Sequence, residues 1–324
     1  MKACIYGAGA VGGWLGASLA AAGCQLSLVA RGATLDALQQ HGLRLQTAVR
    51  AGVYAVNASA DPAALGAQDL VVIAVKAPAL PDVARHIAPL IGPDTVVLTA
   101  MNGVPWWFLQ GNNTVPAGTR LRSVDATGDI AAAIPATQIL GCVVHASCAQ
   151  VAPGVVRHHF GNRLIIGEPA GGSTERALAL GRLLAQAGFD VEVSPRIQQD
   201  IWFKLWGNMT VNPISAITGA TTDLIMDDEL VRGFISQVML EARDIGARLG
   251  LPIEQQPEDR HAVTRKLGAF KTSMLQDVEA GRKVELDALV SVVRELGQLT
   301  GVATPFTDAL LGLSRLHARV RELY

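Results

Sequence analysis

Short apolar runs recur along the first part of the chain, and segments of helical length separate them. The runs of strand length are Lys2–Tyr6, 25–30, 69–75, 95–99, 138–146 and 163–167. Unbroken Val, Ile and Leu runs are typical of strands buried on both faces of a parallel sheet. Asp190–Ser194 instead alternates between polar and apolar residues, which predicts an exposed edge strand. The pattern predicts an α/β fold that begins with a Rossmann-type, doubly wound parallel sheet.

The pattern changes near Ile197, where the apolar positions take up a helical period that continues to the last residues. The predicted helical segments are 197–217, 228–249, 258–280, 283–300 and 304–323. Prolines at 213, 252, 257 and 305 punctuate them. We therefore predict a nucleotide-binding domain at 1–194 and an all-helical substrate and catalytic domain at 195–324. Ligands of such proteins bind at the carboxyl ends of the parallel strands, which predicts a site between the domains.

Composition narrows the class of ligand. At 324 residues the chain has a length natural for two domains. Half of its residues are hydrophobic, 17% are charged and the formal net charge is -1. This composition excludes extensive disorder and offers no electrostatic attraction for nucleic acid or an anionic membrane. The expected partner is a small molecule held by local groups, and a homodimer is the expected assembly.

The cysteines bear on metal binding and on the cellular compartment. Cys4, Cys24, Cys142 and Cys148 form neither a C-x-x-C motif nor a zinc-site spacing with histidine, which predicts reduced thiols and no metal. No apolar run reaches the length of about 18 residues that a membrane span requires. The many glycines between residues 7 and 16 argue against a secretory signal. We expect a cytoplasmic protein.

A glycine motif follows the first predicted strand directly. Gly7, Gly9 and Gly12 form G-x-G-x-x-G before the Ala- and Leu-rich helical segment 14–22. In a strand–turn–helix unit the first glycine permits a tight turn, the second lets a pyrophosphate approach the backbone, and the third lets helix and strand pack closely. The phosphates then lie at the helix N-terminus. This context predicts a dinucleotide site rather than an ordinary glycine-rich turn.

The end of the second predicted strand indicates which dinucleotide binds. Arg31 stands there, 19 residues after Gly12, and no Asp or Glu occurs between Met1 and Thr34. An NAD site places a carboxylate at this position to bind the ribose 2'-hydroxyl, whereas a guanidinium suits the 2'-phosphate of NADP. The sequence therefore favours NADPH. The alternative is a solvated arginine at a strand end.

Polar residues on the first helix of the second half form a candidate catalytic stripe. Lys204, Asn208 and Asn212 are spaced by four residues in a segment that is otherwise rich in Trp, Phe, Leu and Ile. This spacing puts them on one helix face. A buried lysine costs several kcal/mol unless it is paired, so a role as proton donor is one interpretation. The other is a lysine that reaches solvent, with the asparagines marking a helix end before Pro213.

Four further polar residues stand at places that suit a cofactor or a substrate. Lys76 and Asn102 follow the predicted strands 69–75 and 95–99, at the strand ends that face a nucleotide. Ser273 and Glu285 lie on neighbouring helical segments late in the chain. For Glu285 the alternative is a solvated, mixed-charge helix face.

Taken together, these separated strings resemble the ketopantoate reductase (2-dehydropantoate 2-reductase) family over essentially the whole chain. The resemblance assigns the nucleotide loop to Gly7, Ala8, Gly9, Ala10, Val11 and Gly12. It assigns cofactor contacts to Arg31, Lys76, Asn102, Ser147 and Glu285, and the substrate contacts to Asn102, Lys204, Asn208, Asn212 and Ser273. Lys204 matches the family's catalytic lysine, and Glu285 its active-site carboxylate.

The resemblance implies NADPH-dependent reduction of a 2-oxo acid to a 2-hydroxy acid, namely ketopantoate to pantoate in pantothenate biosynthesis. Lys204 would stabilise the negative charge that develops on the substrate oxygen and then donate a proton to it. General acid catalysis of this kind contributes roughly 10²- to 10⁴-fold. The amides and the serine hydroxyl would orient the substrate.

Three departures from the family pattern concern substrate choice. The segment after Asn102 reads GVPWWFL, where many relatives carry a smaller turn, and Thr222 and Phe270 replace asparagines of the best-known pattern. A related two-domain oxidoreductase that acts on a bulkier or more apolar 2-oxo acid is therefore an alternative. So is an opine-type or 3-hydroxyacid dehydrogenase, although no histidine lies on the Lys204 helix. A catalytically silent NADPH-binding sensor is the third.

Overall fold

The chain divides into two units, each with its own apolar core. The computed structural model describes residues 1–49 and 51–324. The first unit comprises Met1–Met101 and Gly128–Ile197, and the second comprises Asn102–Thr127 and Gln198–Tyr324. The sequence predicts one junction, at 194/195, whereas the segment 102–127 groups with the helices. The reason is visible within the second unit, where Phe108 packs against Trp202 with ring centroids 5.9 Å apart.

A sheet of ten strands forms the framework of the first unit. The strands are β1 (Lys2–Tyr6), β2 (Gln25–Val29), β3 (Leu43–Gln46), β4 (Ala51–Tyr54), β5 (Asn57–Ser59), β6 (Gln68–Ile73), β7 (Ile91–Ala100), β8 (Ile139–Ala152), β9 (Val155–Gly167) and β10 (Asp190–Ser194). The helices of this unit are α1 (Ala10–Ala21), α2 (Gly32–His41), α3 (Leu80–His86), α4 (Asp129–Ala133) and α5 (Glu175–Gln186).

Strand order identifies the architecture. The sheet runs β4-β3-β9-β8-β7-β6-β1-β2-β5, with β10 paired to β9. From β5 to β8 every neighbouring pair is parallel, which confirms the predicted Rossmann-type half. Beyond β8 the sheet becomes mixed, because β8–β9 and β3–β4 are antiparallel hairpins. The strand order reverses at β1, between β2 and β6, where Rossmann-type sheets place their dinucleotide.

Apolar packing holds α1 and α5 to the sheet. Leu15 and Leu19 of α1 are fully buried in a core that they share with residues of β1, β2, β6 and β8. Trp14 meets Phe189 edge to face, with centroids 4.9 Å apart.

β10 is an edge strand with alternating exposure, as its sequence predicts.

The second unit is helical, as predicted. Its helices are α6 (Ile197–Thr218), α7 (Thr222–Asp227), α8 (Glu229–Arg248), α9 (Pro257–Arg265), α10 (Ser273–Glu279), α11 (Val292–Thr300) and α12 (Pro305–Val320), with a π-helical turn at Asp287–Ser291 before α11. The prediction of one helix over 258–280 was wrong. The chain turns between α9 and α10 at Gly268, whose φ is +62°, and the hydroxyl of Thr272 caps the new helix by accepting from the N–H of Leu275.

Candidate active site

The glycine loop joins β1 to α1 at the centre of the parallel half. Gly7 has a φ of +106°, and a Cβ there would lie 2.7 Å from Cγ1 of Val75. A Cβ at Gly12 would lie 2.1 Å from the carbonyl oxygen of Gly7. Both positions therefore exclude a side chain, one for the turn and the other for the close approach of helix and loop, which are the two structural roles in the motif.

Gly9 differs from its two neighbours because the space beside it is open. A Cβ built there meets nothing within 4 Å, and Gly9 begins α1 without a side-chain cap. The first N–H groups of α1 are therefore free to bind an anion, and the helix dipole favours one. The loop Gly7, Ala8, Gly9, Ala10, Val11 and Gly12 thus fits a dinucleotide pyrophosphate.

Arg31 lies at the end of β2, as predicted, and lines a cavity of about 270 Å³ beside the glycine loop. The cavity is lined by Tyr6, Gly7, Ala8, Gly9, Val29, Ala30, Arg31, Thr34, Val75, Ala79, Asp82, Val83 and Gln150. The Arg31 guanidinium donates to the carboxylate of Asp82. This contact raises the pKa of Arg31 and lowers the pKa of Asp82. The cationic side chain of Arg31 therefore lies beside the position where Rossmann-type sites bind the ribose.

Two predicted cofactor contacts lie elsewhere in the first unit. Lys76 follows β6 and precedes a short 3₁₀ turn, and its carbonyl accepts from the N–H of Ala79. Ser147 lies within β8, opposite Phe160 of β9, and is half-buried. Neither side chain lines the Arg31 cavity.

The stripe on α6 forms as the spacing predicts. α6 continues unbroken through Pro213, so Lys204, Asn208 and Asn212 stack along one face. Lys204 and Asn208 are half-buried, and Asn212 is buried. The Nζ atom of Lys204 donates to Oδ1 of Asn102 over 2.8 Å. The structure therefore brings together two site residues that lie 102 positions apart in the sequence.

The loop that carries Asn102 is fixed against the π-helical turn. Gly103 has a φ of +81°, and a Cβ there would lie 2.4 Å from the carbonyl oxygen of Ala288. The same carbonyl accepts from the N–H of Val104 over 2.9 Å. The backbone directly after Asn102 is therefore packed against and hydrogen-bonded to the carbonyl of Ala288.

Glu285 and Ser273 have different settings. Glu285 is buried, three residues before Ala288, and its carbonyl accepts from the N–H of Leu289. The expected alternative of a solvated carboxylate at this position is therefore wrong. Ser273 is exposed at the first position of α10. Its role as a substrate ligand stays a prediction.

Sequence reasoning did not identify Asp82 and Arg260. Asp82 resembles an ordinary acidic residue in the first turn of a helix, and only its contact with Arg31 distinguishes it. Arg260 lies on α9 over Gly207 of α6. The one available signal was a glycine in the middle of an apolar helix, which costs stability unless something occupies its space.

The remaining groups do not form a second chemical centre in the part of the chain that the structure describes. None of the four cysteines forms a disulfide in the described residues, and burial raises the pKa of Cys4 and Cys148 to about 12. No group of three or more His, Cys, Asp and Glu side chains between residues 1–49 and 51–324 could hold a metal ion. Within the same ranges no helix has the length and apolarity to cross a bilayer.

Family models match both halves of the chain. The model described as "Ketopantoate reductase PanE/ApbA" matches residues 3–171. The model described as "Ketopantoate reductase PanE/ApbA C terminal" matches residues 196–318. Between them the two matches include every residue that the sequence singled out as a site residue.

Individual relatives agree with this result. A 2-dehydropantoate 2-reductase of Mesorhizobium japonicum is 46% identical over 325 aligned residues, covering 100% of both chains. A ketopantoate-reductase-like protein of Ralstonia solanacearum MolK2 superimposes with a TM-score of 0.95 at 58% identity, covering 99% of both chains. A D-mandelate dehydrogenase solved with NADH and anilino(oxo)acetate has a TM-score of 0.84 at 21% identity over 100% of both chains, a likeness of fold alone.

Proposed function

This chain belongs to the ketopantoate reductase family of oxidoreductases, and we propose that it reduces 2-dehydropantoate (ketopantoate) to pantoate with NADPH. The observation that carries the proposal is the hydrogen bond from Lys204 Nζ to Asn102 Oδ1, 2.8 Å long. It places an ammonium at a defined position on the polar face of α6. A 2-oxo acid that binds there would be the substrate.

The chemistry divides between the cofactor and the protein. When bound, the nicotinamide supplies a hydride to the C2 carbonyl of the substrate. The oxygen of that carbonyl gains negative charge, and the Lys204 ammonium stabilises the charge and donates a proton to the oxygen. Asn102 accepts from Lys204 and so orients its Nζ atom, while Asn208 and Asn212 offer amides to the substrate along the same face.

Enzymes of this family depend on NAD(P)H, and we assign NADPH to this chain. Support comes from Arg31, whose guanidinium lines the cavity beside the glycine loop and suits a 2'-phosphate. Lys76, Ser147 and Glu285 are proposed to contact other parts of the cofactor. The glycine loop would hold the pyrophosphate on the N-terminus of α1.

A different 2-oxo acid is the second candidate substrate, and the surroundings of Thr222 favour it. The Thr222 hydroxyl donates to the carbonyl of Gly268 over 2.6 Å, and its N–H donates to the carbonyl of Phe270. Both hydrogen-bond donors of Thr222 therefore bind backbone carbonyls. The Phe270 side chain has no polar group. If the substrate contacts these two positions, it meets a less polar surface than two asparagines would provide.

Activity measurements test the proposal directly. NADPH absorbance is followed with ketopantoate and a panel of 2-oxo acids for wild type, Lys204→Ala and the exposed control Lys266→Ala. We expect ketopantoate turnover in wild type and the control, and a loss of about 10²- to 10⁴-fold in Lys204→Ala. If the enzyme reduces another 2-oxo acid and not ketopantoate, that acid replaces ketopantoate as the proposed substrate. Tight NADPH binding without oxidation would favour a sensor and overturn the enzymatic proposal.

Two further expectations accompany this function. The four cysteine thiols, which form no disulfide in the described residues, support a reducing compartment such as the cytoplasm. A homodimer is the proposed assembly, and α12 supports it because Leu313, Leu316 and Val320 are exposed on that helix. Light scattering of the purified protein measures the assembly, and a monomer at all concentrations would refute the dimer.

A further inference from the structure

Asp82 lines the same cavity as Arg31 and forms an ion pair with that arginine. One carboxylate oxygen of Asp82, Oδ2, accepts from Nη2 of Arg31. The other, Oδ1, accepts from Nη2 of Arg85 over 3.1 Å. Asp82 therefore stands in the position relative to Arg31 that an anionic ligand of the arginine would take.

The two nicotinamide dinucleotides would meet this pair differently. A 2'-phosphate carries about two negative charges, so it must compete with Asp82 for Arg31 and is repelled by the carboxylate. A free 2'-hydroxyl can instead donate to the carboxylate, as it does to the acidic residue of NAD sites. We propose that Asp82 is a specificity-determining residue that narrows the preference for NADPH over NADH. This inference rests on the proposed use of NADPH.

Binding constants for both cofactors test the role of Asp82. Asp82→Asn removes the charge and keeps the size of the side chain, and we expect about three- to tenfold tighter NADPH binding with weaker NADH binding. Asp36→Asn is the matched control, because Asp36 is exposed on α2 close in sequence to Arg31 and has no hydrogen bond with it. The control should leave both constants within about twofold.

A double-mutant cycle separates the proposed contact from a general change in charge. In Arg31→Gln, the gain in NADPH affinity from Asp82→Asn should disappear if it acts through Arg31. Fragment binding with 2',5'-ADP and 5'-ADP repeats the comparison without the nicotinamide, and Asp82→Ser repeats it with a second side chain. Wild type that fails to bind NADPH would refute the proposed function. Wild type that binds NADPH, with an unchanged cofactor ratio in folded Asp82 variants, would refute the inference alone.

A separate observation concerns a guanidinium inside the helical unit. The Nε atom of Arg260 is buried and has no hydrogen-bond partner in the described residues. Burial lowers its pKa. Two nearby arginines, Arg232 and Arg265, both donate to the carbonyl of Met226. Arg260 thus differs from these two arginines in that its buried Nε atom has no acceptor among the described residues, although a buried donor without a partner is costly.

The position of Arg260 relates it to the candidate catalytic helix. A Cβ at Gly207 would lie 2.3 Å from Nε and 2.6 Å from Nη2 of Arg260, so the missing side chain of Gly207 is what admits the guanidinium. Gly207 follows Lys204 by three residues and precedes Asn208 on α6. The guanidinium therefore packs on α6 at a position three residues after Lys204 and directly before Asn208.

A planar guanidinium whose buried Nε atom has no protein acceptor matches a carboxylate, which it can bind through two parallel hydrogen bonds. The proposed substrate is a 2-oxo acid and brings one. We infer that Arg260 binds the carboxylate of the 2-oxo acid beside Lys204. This second inference also rests on the proposed reaction, and it concerns substrate binding rather than the cofactor.

Kinetics of Arg260 variants test this assignment. Arg260→Gln and Arg260→Met should raise KM for the 2-oxo acid about 10- to 100-fold and leave the Kd for NADPH unchanged. Arg243→Gln is the control, since Arg243 is half-buried on α8 and donates to the side chain of Gln256 over 2.8 Å. Guanidinium ions added to Arg260→Ala should restore part of the lost activity. A lower Tm with unchanged KM would show a structural residue, and an inactive wild type would instead contradict the proposed function.

Discussion

Lys204 and Asn102 are joined by a hydrogen bond of 2.8 Å between Nζ and Oδ1, and this bond links α6 to the loop that follows β7. The amide oxygen of Asn102 accepts a hydrogen bond from one of the three N–H donors of the Lys204 ammonium. We therefore predict that Asn102 positions Lys204, in addition to its proposed contact with the cofactor. Its backbone is held by Gly103 and Val104, which pack against Ala288.

Asn102→Ala is the first prediction. Without the hydrogen bond to Asn102 the position of the Lys204 Nζ atom is less well defined, and we expect kcat to fall about 10- to 100-fold because small errors in position are costly. The measurement is steady-state turnover, with kcat and KM determined separately. Asn113→Ala changes an exposed asparagine nearby in sequence and should have no effect. Equal losses in both variants would contradict the role of the hydrogen bond.

The glycine loop provides the second prediction, because Gly12 and Gly9 have different proposed roles. Gly12 is needed for packing, and Gly9 leaves room for the cofactor. Gly12→Ala puts a Cβ 2.1 Å from the carbonyl oxygen of Gly7, so we expect about 1–3 kcal/mol lower stability and a lower Tm. Gly9→Ala enters open space and should leave Tm nearly unchanged. It should nevertheless weaken NADPH binding, because the methyl group occupies the approach of the pyrophosphate.

Calorimetry and cofactor titration of the two glycine variants separate these effects. A Gly9→Ala protein with wild-type Tm and wild-type NADPH affinity would exclude a pyrophosphate at this loop. A Gly12→Ala protein with wild-type Tm would show that the loop can move away from the helix.

The parallel half of the fold was predictable because its signals are local. β1, the glycine loop and α1 follow one another without interruption, and β6 and β7 contain the apolar runs 70–73 and 96–98. β3 and β4 were missed because each has four residues of mixed polarity and is stabilised by pairing rather than by its own pattern. The antiparallel β8–β9 hairpin likewise depends on partners that periodicity does not reveal.

The residues of the candidate site likewise differ in whether a local sequence signal identifies them. Gly7, Arg31 and Lys204 were identified because a motif or a helical spacing surrounds each of them. Asp82 and Arg260 were not, because their importance lies in what they contact, or fail to contact, across distant parts of the chain. Pairing of a charge is a property of three-dimensional structure, and no spacing rule expresses it.

Acid sensitivity is the third prediction and concerns Glu168 at the end of the sheet. Burial opposes ionisation of Glu168, but donation from Arg176 and Thr174 outweighs it and lowers the pKa of this carboxyl. A carboxyl whose pKa is lower in the folded than in the unfolded chain stabilises the fold at any pH above the unfolded-state pKa. This stabilisation is lost as the pH falls through the folded-state pKa. Glu168→Gln should therefore lose about 1–3 kcal/mol at pH 7 and progressively less below about pH 4.

Urea unfolding of wild type and Glu168→Gln at a series of pH values measures this difference. Glu175→Gln is the control, because Glu175 pairs with Arg182 on the exposed surface and should change stability by less than about 1 kcal/mol. A penalty for Glu168→Gln that is the same at pH 7 and at pH 3.5 would refute the ionic contribution.

The last prediction concerns Glu241, a buried carboxylate that caps α12 from a neighbouring helix. Its oxygens accept from the N–H groups of Phe306 and Thr307, each over 2.8 Å, and from the Thr307 hydroxyl over 2.7 Å. These are donors that a helix N-terminus leaves unpaired, and the helix dipole adds to the attraction. Glu241→Ala should cost about 2–4 kcal/mol, because it leaves buried donors without an acceptor. Glu241→Gln keeps one acceptor oxygen and should cost less, and the exposed Glu254→Gln should cost nothing measurable. Equal unfolding free energies for Glu241→Ala and wild type would show that water replaces the carboxylate and that α12 needs no cap from α8.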